Sequence, residues 1–356
     1  MTASPKSDIK SLQLDELLSI AQPSYRARQI TDWLYKKRVN SFTEMTDLPQ
    51  ALRAQLAHDF SFDKIEVVRV LGSADTTRKF LFRLSDGNLI ESVLIPASPA
   101  LYGSPSDRRT ICISTQVGCA YGCKFCASGL DGWKRNLRPN EILNQIIAVE
   151  RESGERIDNI VFMGMGEPLL NYERVIRAAR IFSESCGMSI NSKAITISTV
   201  GIVPAIRRFT ADRHRYRLII SLTAARTEQR QSLLPIEHVY PLPELLAAVR
   251  EYHAATRKRV TFAWTILAGI NTSRDDARAL AELTRGLPIL LDLIDVNDPT
   301  GRFRRPQTDE ANAFRDALRE ELAMPVQRRY SGGQDIHGAC GMLATTDGGA
   351  GEAALG

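Results

Sequence analysis

No fourth cysteine follows closely on the trio Cys119, Cys123 and Cys126, which falls within eight residues as Cys-Ala-Tyr-Gly-Cys-Lys-Phe-Cys. That shortage is informative. A structural zinc site closes its tetrahedron with four Cys or His ligands, and an electron-carrying 4Fe–4S cluster normally takes four thiolates. A cubane held by three thiolates leaves one iron open to a second molecule. A zinc half-site completed by a distant His or Cys is the competing reading. The chain also lacks an apolar run long enough to span a membrane. Its start, Met1-Thr-Ala-Ser-Pro-Lys-Ser-Asp, has none of the apolar stretch of a secretory signal. Six cysteines in 356 residues, three of them clustered, exclude a disulfide framework and point to a reducing cytoplasm.

What is present reads as an ordinary globular protein. Hydrophobic residues make up 44%, charged residues 24% and aromatics only 7%, enough for one large domain and a small one. The net charge of +5 hints at an anionic partner. Basic residues fall in four runs: Lys134, Arg135 and Arg138; Arg213, Arg215 and Arg217; Arg257, Lys258 and Arg259; and Arg302, Arg304 and Arg305. Each run alone is a solvated loop, but together they make a polyanion partner plausible.

Residues 1–100 read as a small α+β module. Ile30, Trp33 and Leu34 stand at helical spacing, and a second short helix is predicted over 49–56. Strands are predicted over 64–71, 78–84 and 88–95, with Ser85-Asp86-Gly87 as a hairpin turn. From about 108, strand and helix patterns alternate. The strands are predicted at 110–114, 159–163, 194–199, 218–223, 260–267, 289–296 and 326–330. Helices are predicted between them at 139–152, 172–185, 229–234, 243–255, 273–285 and 309–321. Such alternation implies parallel βαβ units and an α/β fold, a partial (β/α)6 barrel over 101–343, with the cysteine loop following its first strand. Residues 344–356 have the composition of a disordered tail.

Two further segments bear on function. Gly164-Met-Gly-Glu167-Pro168 follows an apolar strand, where glycine lets backbone amides approach a ligand. Near the other end, Cys340 stands in a Gly-flanked loop; alone it reads as a small buried side chain. The cysteine trio resembles that of the radical S-adenosylmethionine (radical-SAM) superfamily. With Tyr25-Arg-Ala-Arg-Gln-Ile, Phe42-Thr-Glu-Met-Thr-Asp-Leu-Pro, Cys112-Ile-Ser-Thr-Gln-Val-Gly-Cys119, Gly164-Met-Gly-Glu-Pro-Leu-Leu-Asn171 and Ala-Cys340-Gly, the chain resembles the RlmN/Cfr family of radical-SAM RNA methyltransferases over residues 20–343.

The resemblance implies roles by position. Cys119, Cys123 and Cys126 match the ligands of a 4Fe–4S cluster whose open iron binds SAM. Gly166, Glu167, Ser198, Ser221, Leu222, Thr223 and Asn297 fall on SAM-contacting positions. Cys340 matches the cysteine that is itself methylated, Cys112 the partner with which it forms a transient disulfide, and Glu91 the proton acceptor. Cys186 matches nothing. The family's chemistry explains the set. A ring carbon of adenine is a poor nucleophile, so one SAM methylates the Cys340 thiolate. A second SAM supplies a radical that activates the S-methyl group. The base becomes linked to the protein, and attack by Cys112 on sulfur releases it. On the alternation of a strand, Cys112 shares a face with Ser114 and points into the barrel.

The family further implies two SAM per turnover, the amino-terminal module as an RNA holder, and a flavodoxin or ferredoxin as electron donor. It also implies a cytoplasmic enzyme, a monomer with no membrane contact. Carbon 2 of an adenosine in 23S rRNA, and for some members in tRNA, is the expected target. Carbon 8, or a small molecule or peptide, is the alternative, and a zinc- or cluster-stabilised RNA-binding protein is the non-enzymatic one. Three departures bear on the target: Thr223 stands where members typically carry His, Asp298 is inserted before Pro299, and His337 occupies a commonly acidic place.

Overall fold

The computed structural model describes residues 6–96, 108–130, 132–298, 300–329 and 331–343, so the tail expected at 344–356, Tyr330 at the end of the last predicted strand and Pro299 lie outside the described residues. Three strands, β1 (Glu66–Gly72), β2 (Arg78–Arg83) and β3 (Leu89–Pro96), form an antiparallel meander. Gly87 takes φ +84° in the β2–β3 turn, the left-handed geometry a tight hairpin asks for. The first predicted helix is Tyr25–Thr31, continued by a π-turn to Lys36, and it buries Ile30, Leu34 and Tyr35.

After the meander come β4 (Arg109–Cys112), β5 (Gln116–Gly118), β6 (Trp133–Asn136), β7 (Asn159–Phe162), β8 (Ile195–Thr199), β9 (Arg217–Ser221), β10 (Val260–Ile266), β11 (Ile289–Asp295) and β12 (Gln327–Arg329). Among the described residues the main sheet runs β1-β2-β3-β4-β7-β8-β9-β10-β11-β12, parallel from β4 onward. Helices connect the parallel strands and cover the outside, giving the partial (β/α)6 barrel that the alternation implied. Near-continuous apolar runs such as Asn159-Ile-Val-Phe162, buried throughout, are what strands covered on both faces require. The Pro139–Ser153 helix shows the local logic. Proline opens it, Glu141 caps it, and Gly154 ends it at φ +69°.

Several elements escaped the sequence pattern, among them the short helix Leu14–Ile20. The helix Val203–Ala211 lies between β8 and β9. The β5–β6 hairpin clasps the cysteine loop at its base, although Trp133-Lys-Arg-Asn136 carries no strand-like alternation. The meander also continues the barrel sheet, since β3 pairs with β4 at Val93↔Cys112. Gln145 of the covering helix fixes this junction. Its buried amide accepts from Ser92 Oγ (2.7 Å) and Ser114 N–H (2.8 Å) and donates to the Ser114 carbonyl (3.0 Å).

Candidate active site

Strand register decides which side chains face the barrel interior. Ladder partners share a face, and residues two apart on a strand do too. Ser92 faces outward, to the helix that holds Gln145. Glu91 and Val93 therefore face inward, and Val93 pairs with Cys112. Following the ladder through Val161, Thr196 and Ser198 to Ile219 and Ser221 puts Cys112, Ser198 and Ser221 on that same interior face. Glu91 is buried and ion-paired with Lys79 at 2.9 Å.

The cysteine loop is built by close backbone approach. The Cys119 N–H donates to the Gly132 carbonyl at 3.1 Å and the Cys126 N–H to the Cys123 carbonyl at 3.1 Å. Burial pushes all three thiols up, Cys119 to about 12, and charge on neighbouring cysteines pushes the same way. Three thiolates gathered there demand a strongly cationic group, as an iron–sulfur cluster provides. Among the described residues no three His, Cys, Asp or Glu side chains converge as around one metal ion.

One cavity at the carboxyl ends of the strands gathers most of the expected set. Cys123, Cys126, Gly166, Glu167, Ser198, Ser221, Thr223, Asn297 and Cys340 all line it. Cys119, Cys112, Glu91 and Leu222 do not; the Leu222 side chain is buried, and its backbone N–H donates to the Ala263 carbonyl. Cys340 rests on the interior patch of Met163, Ile219, Ala263 and Ile294. It lies close enough to Cys112 and to Cys126 for charge on it to push both thiols up, although burial is the larger cause. The Met163 N–H bonds the Cys112 sulfur. Asn297 donates to the Cys340 carbonyl (3.1 Å), and the Ala127 N–H donates to the Gly341 carbonyl (2.7 Å), so cysteine loop and carboxyl-terminal loop brace each other.

Glu167 is almost completely buried. Its carboxylate accepts from the Leu169 N–H (3.0 Å) and the Val200 N–H (2.9 Å). Burial still raises it to about 7, against the lowering pull of those donors and of Thr199. A cationic amine in the cavity would find its countercharge there. Gln116 and Thr199, neither singled out in the sequence, support this carboxylate: Gln116 Oε1 accepts the Glu167 N–H at 2.8 Å. The only sequence signal for them was position, at strand ends: Gln116 opens β5 and Thr199 closes β8.

Two of the basic runs flank the cavity end. Lys134, Arg135 and Arg138 follow the cysteine loop, and Arg302 donates to the Lys124 carbonyl at 2.7 Å. The runs at 213–217 and 257–259 lead into β9 and β10, at the opposite end.

A family model described as ribosomal RNA large subunit methyltransferase N-terminal domain matches residues 8–61, and one for the radical SAM superfamily matches residues 113–283. A probable dual-specificity RNA methyltransferase RlmN from Akkermansia muciniphila is 43% identical over 320 residues, covering 90% of this chain and 89% of its own. The chain belongs to the RlmN family. A Moorella thermoacetica protein with the same description is 43% identical over 339 residues, 93% of this chain and 94% of that one. The crystal structure of a radical SAM methyltransferase from Sphaerobacter thermophilus superposes with a TM-score of 0.86 at 41% identity, covering 95% of this chain and 99% of that one. As a radical-SAM methyltransferase of the RlmN family, the protein uses a 4Fe–4S cluster and SAM.

Gly166 leaves no room for a side chain at the RlmN-family site. It sits at φ +100°, and an added Cβ would meet Gln116 Cβ at 2.5 Å and the Gln116 nitrogen at 2.8 Å. Gly166→Ala is expected to cost roughly 2–4 kcal/mol through backbone strain and overpacking. Thermal unfolding of the variant measures it; an unchanged midpoint would contradict the geometry.

Proposed function

We propose that this enzyme methylates an sp2 ring carbon of adenosine in RNA, carbon 2 in 23S rRNA and also in tRNA, through an S-methyl group carried on Cys340. The observation that supports it is the placing of Cys340 beside both Cys112 and Cys126 at the cavity. Cys119, Cys123 and Cys126 hold the cluster, and Gly166, Glu167, Ser198, Ser221, Leu222, Thr223 and Asn297 hold SAM. When bound, that pair supplies the methyl group and the radical that the reaction needs, with two SAM used per turnover.

The remaining work falls to this chain's side chains. Cys340 sulfur carries the methyl carbon and joins it to the base. Glu91, ion-paired with Lys79 at 2.9 Å, accepts the proton from the substituted ring carbon. The Cys112 thiolate then attacks the Cys340 sulfur; the bond from sulfur to the bridging carbon breaks, its electron pair stays on that carbon, and uptake of one proton completes the new methyl group on the base. The resulting disulfide is transient, and all six cysteines are free thiols in the structure. Two electrons from a flavodoxin or ferredoxin system, or from a dithiol, return both to thiols. Family membership and the basic runs at the cavity end support RNA as the substrate.

Mass spectrometry of 23S rRNA and tRNA from cells with and without the gene tests the reading. The expected result is an adenosine in each RNA that lacks a methyl group when the gene is deleted, with fragmentation locating that group on carbon 2. Unchanged adenosines in both RNAs would overturn the substrate, and a carbon 8 methyl would overturn the regiochemistry.

A further inference from the structure

Arg230 lies in the short Thr227–Leu233 helix after β9, and its side chain is 0% exposed. It is ion-paired with Glu237, which is equally buried and whose other oxygen accepts the Leu242 N–H at 2.8 Å. The guanidinium has two further bonds. Nη2 donates to the Val200 carbonyl at 2.7 Å, and Nε donates to the Leu222 carbonyl at 3.3 Å. Val200 also donates its own N–H, one peptide earlier, to Glu167 at 2.9 Å. A path thus runs from the Glu167 carboxylate through the backbone of Val200 and Arg230 to the peptide between Leu222 and Thr223. It ties together the loops that follow β7, β8 and β9. Cys123 feels the same guanidinium, which draws its thiol downward against the larger effect of burial.

The fold alone does not ask for such a pair. Removing two charges from water is expensive, and well-packed apolar side chains of similar volume often serve stability as well or better. What an apolar pair lacks is a planar fork able to bond two carbonyls and a carboxylate at once. We propose that the Arg230–Glu237 pair is a positioning element for SAM, fixing the spacing of three strand ends and the loops that follow them, which together carry Glu167, Ser198 and Ser221–Thr223. This inference rests on the assignment of those residues to SAM.

The test uses the full chain with its cluster reconstituted under anaerobic conditions, comparing wild type, R230K and the double variant R230M/E237L. Iron content and thermal midpoint report the fold. SAM affinity is measured by calorimetry and by the change that SAM causes in the electron paramagnetic resonance spectrum of the reduced cluster. R230M/E237L is expected to keep its iron and its midpoint while its SAM Kd rises roughly tenfold or more, because small misplacements of binding groups cost that much. R230K, which keeps the charge and loses the fork, is expected to fall between. Wild-type SAM affinity in a folded R230M/E237L protein would overturn the proposal. Should that variant lose its fold, R230K decides: normal affinity overturns the proposal, weakened affinity at a wild-type midpoint supports it. Failure of wild type itself to bind SAM would instead sink the site assignment on which the inference stands.

Discussion

Cys112→Ala protein is expected to accumulate RNA joined covalently to Cys340 under turnover conditions. The argument is one of leaving groups. Once the methyl carbon bridges Cys340 sulfur and a ring carbon, the linkage is a thioether, which water does not open. A second thiol within reach can attack the sulfur, and Cys112 is the one placed near Cys340. In the resting protein burial and the nearby Cys340 push the Cys112 thiol up, while Arg329 draws it down. The thiol therefore stays protonated until it is needed, a condition that protects it from oxidation. Removing one buried sulfur costs the fold only about 1 kcal/mol, so the variant should remain folded. A denaturing gel should show a species of RNA plus protein that a Cys112→Ala/Cys340→Ala double variant cannot form. Free RNA alone in the single variant would overturn the resolving role.

Cys123→Ala is expected to lose iron to background and with it all SAM cleavage, the largest quantitative effect of any substitution considered. Cys123 is the most enclosed of the three thiols, 8% exposed, in a site whose burial already disfavours uncompensated charge. With two thiolates left, the cluster loses a ligand that no neighbour can replace, and metal binding and local folding fail together. Iron analysis after anaerobic reconstitution measures the outcome. Retention of a full cluster of about four irons per chain would show that Cys123 is not a ligand.

The chain itself made most of the fold legible. Alternating apolar runs and amphipathic stretches placed the parallel strands to within a few residues, because strands buried on both faces and helices buried on one leave different periods in the sequence. The β5–β6 hairpin left no such trace. Its register is imposed by the approach of Gly118 to Gly132, where an added Cβ would lie 1.8 Å from a carbonyl oxygen. The Val203–Ala211 helix was missed because it is short and opens with Val-Pro, where a strand-like residue precedes a turn-former.

The site divides in the same way. The cysteine spacing, the Gly-Met-Gly-Glu turn and Cys340 announced themselves because each is a local feature, a few residues whose chemistry is unusual together. Gln116, Thr199 and Arg230 did not, since a polar residue at a strand end or in a short helix is ordinary until its partners are known.

Sequence by itself determined the α/β architecture, the trio of thiols and the family to which the chain belongs. Tertiary structure alone decided that Cys340 stands beside Cys112 and Cys126, with well over two hundred residues between them and it, and that a buried guanidinium joins three loops. The reason is physical: periodicity and spacing record what neighbours along the chain must do. Which distant side chains share one desolvated cavity depends on how the sheet closes and which strand ends it brings together.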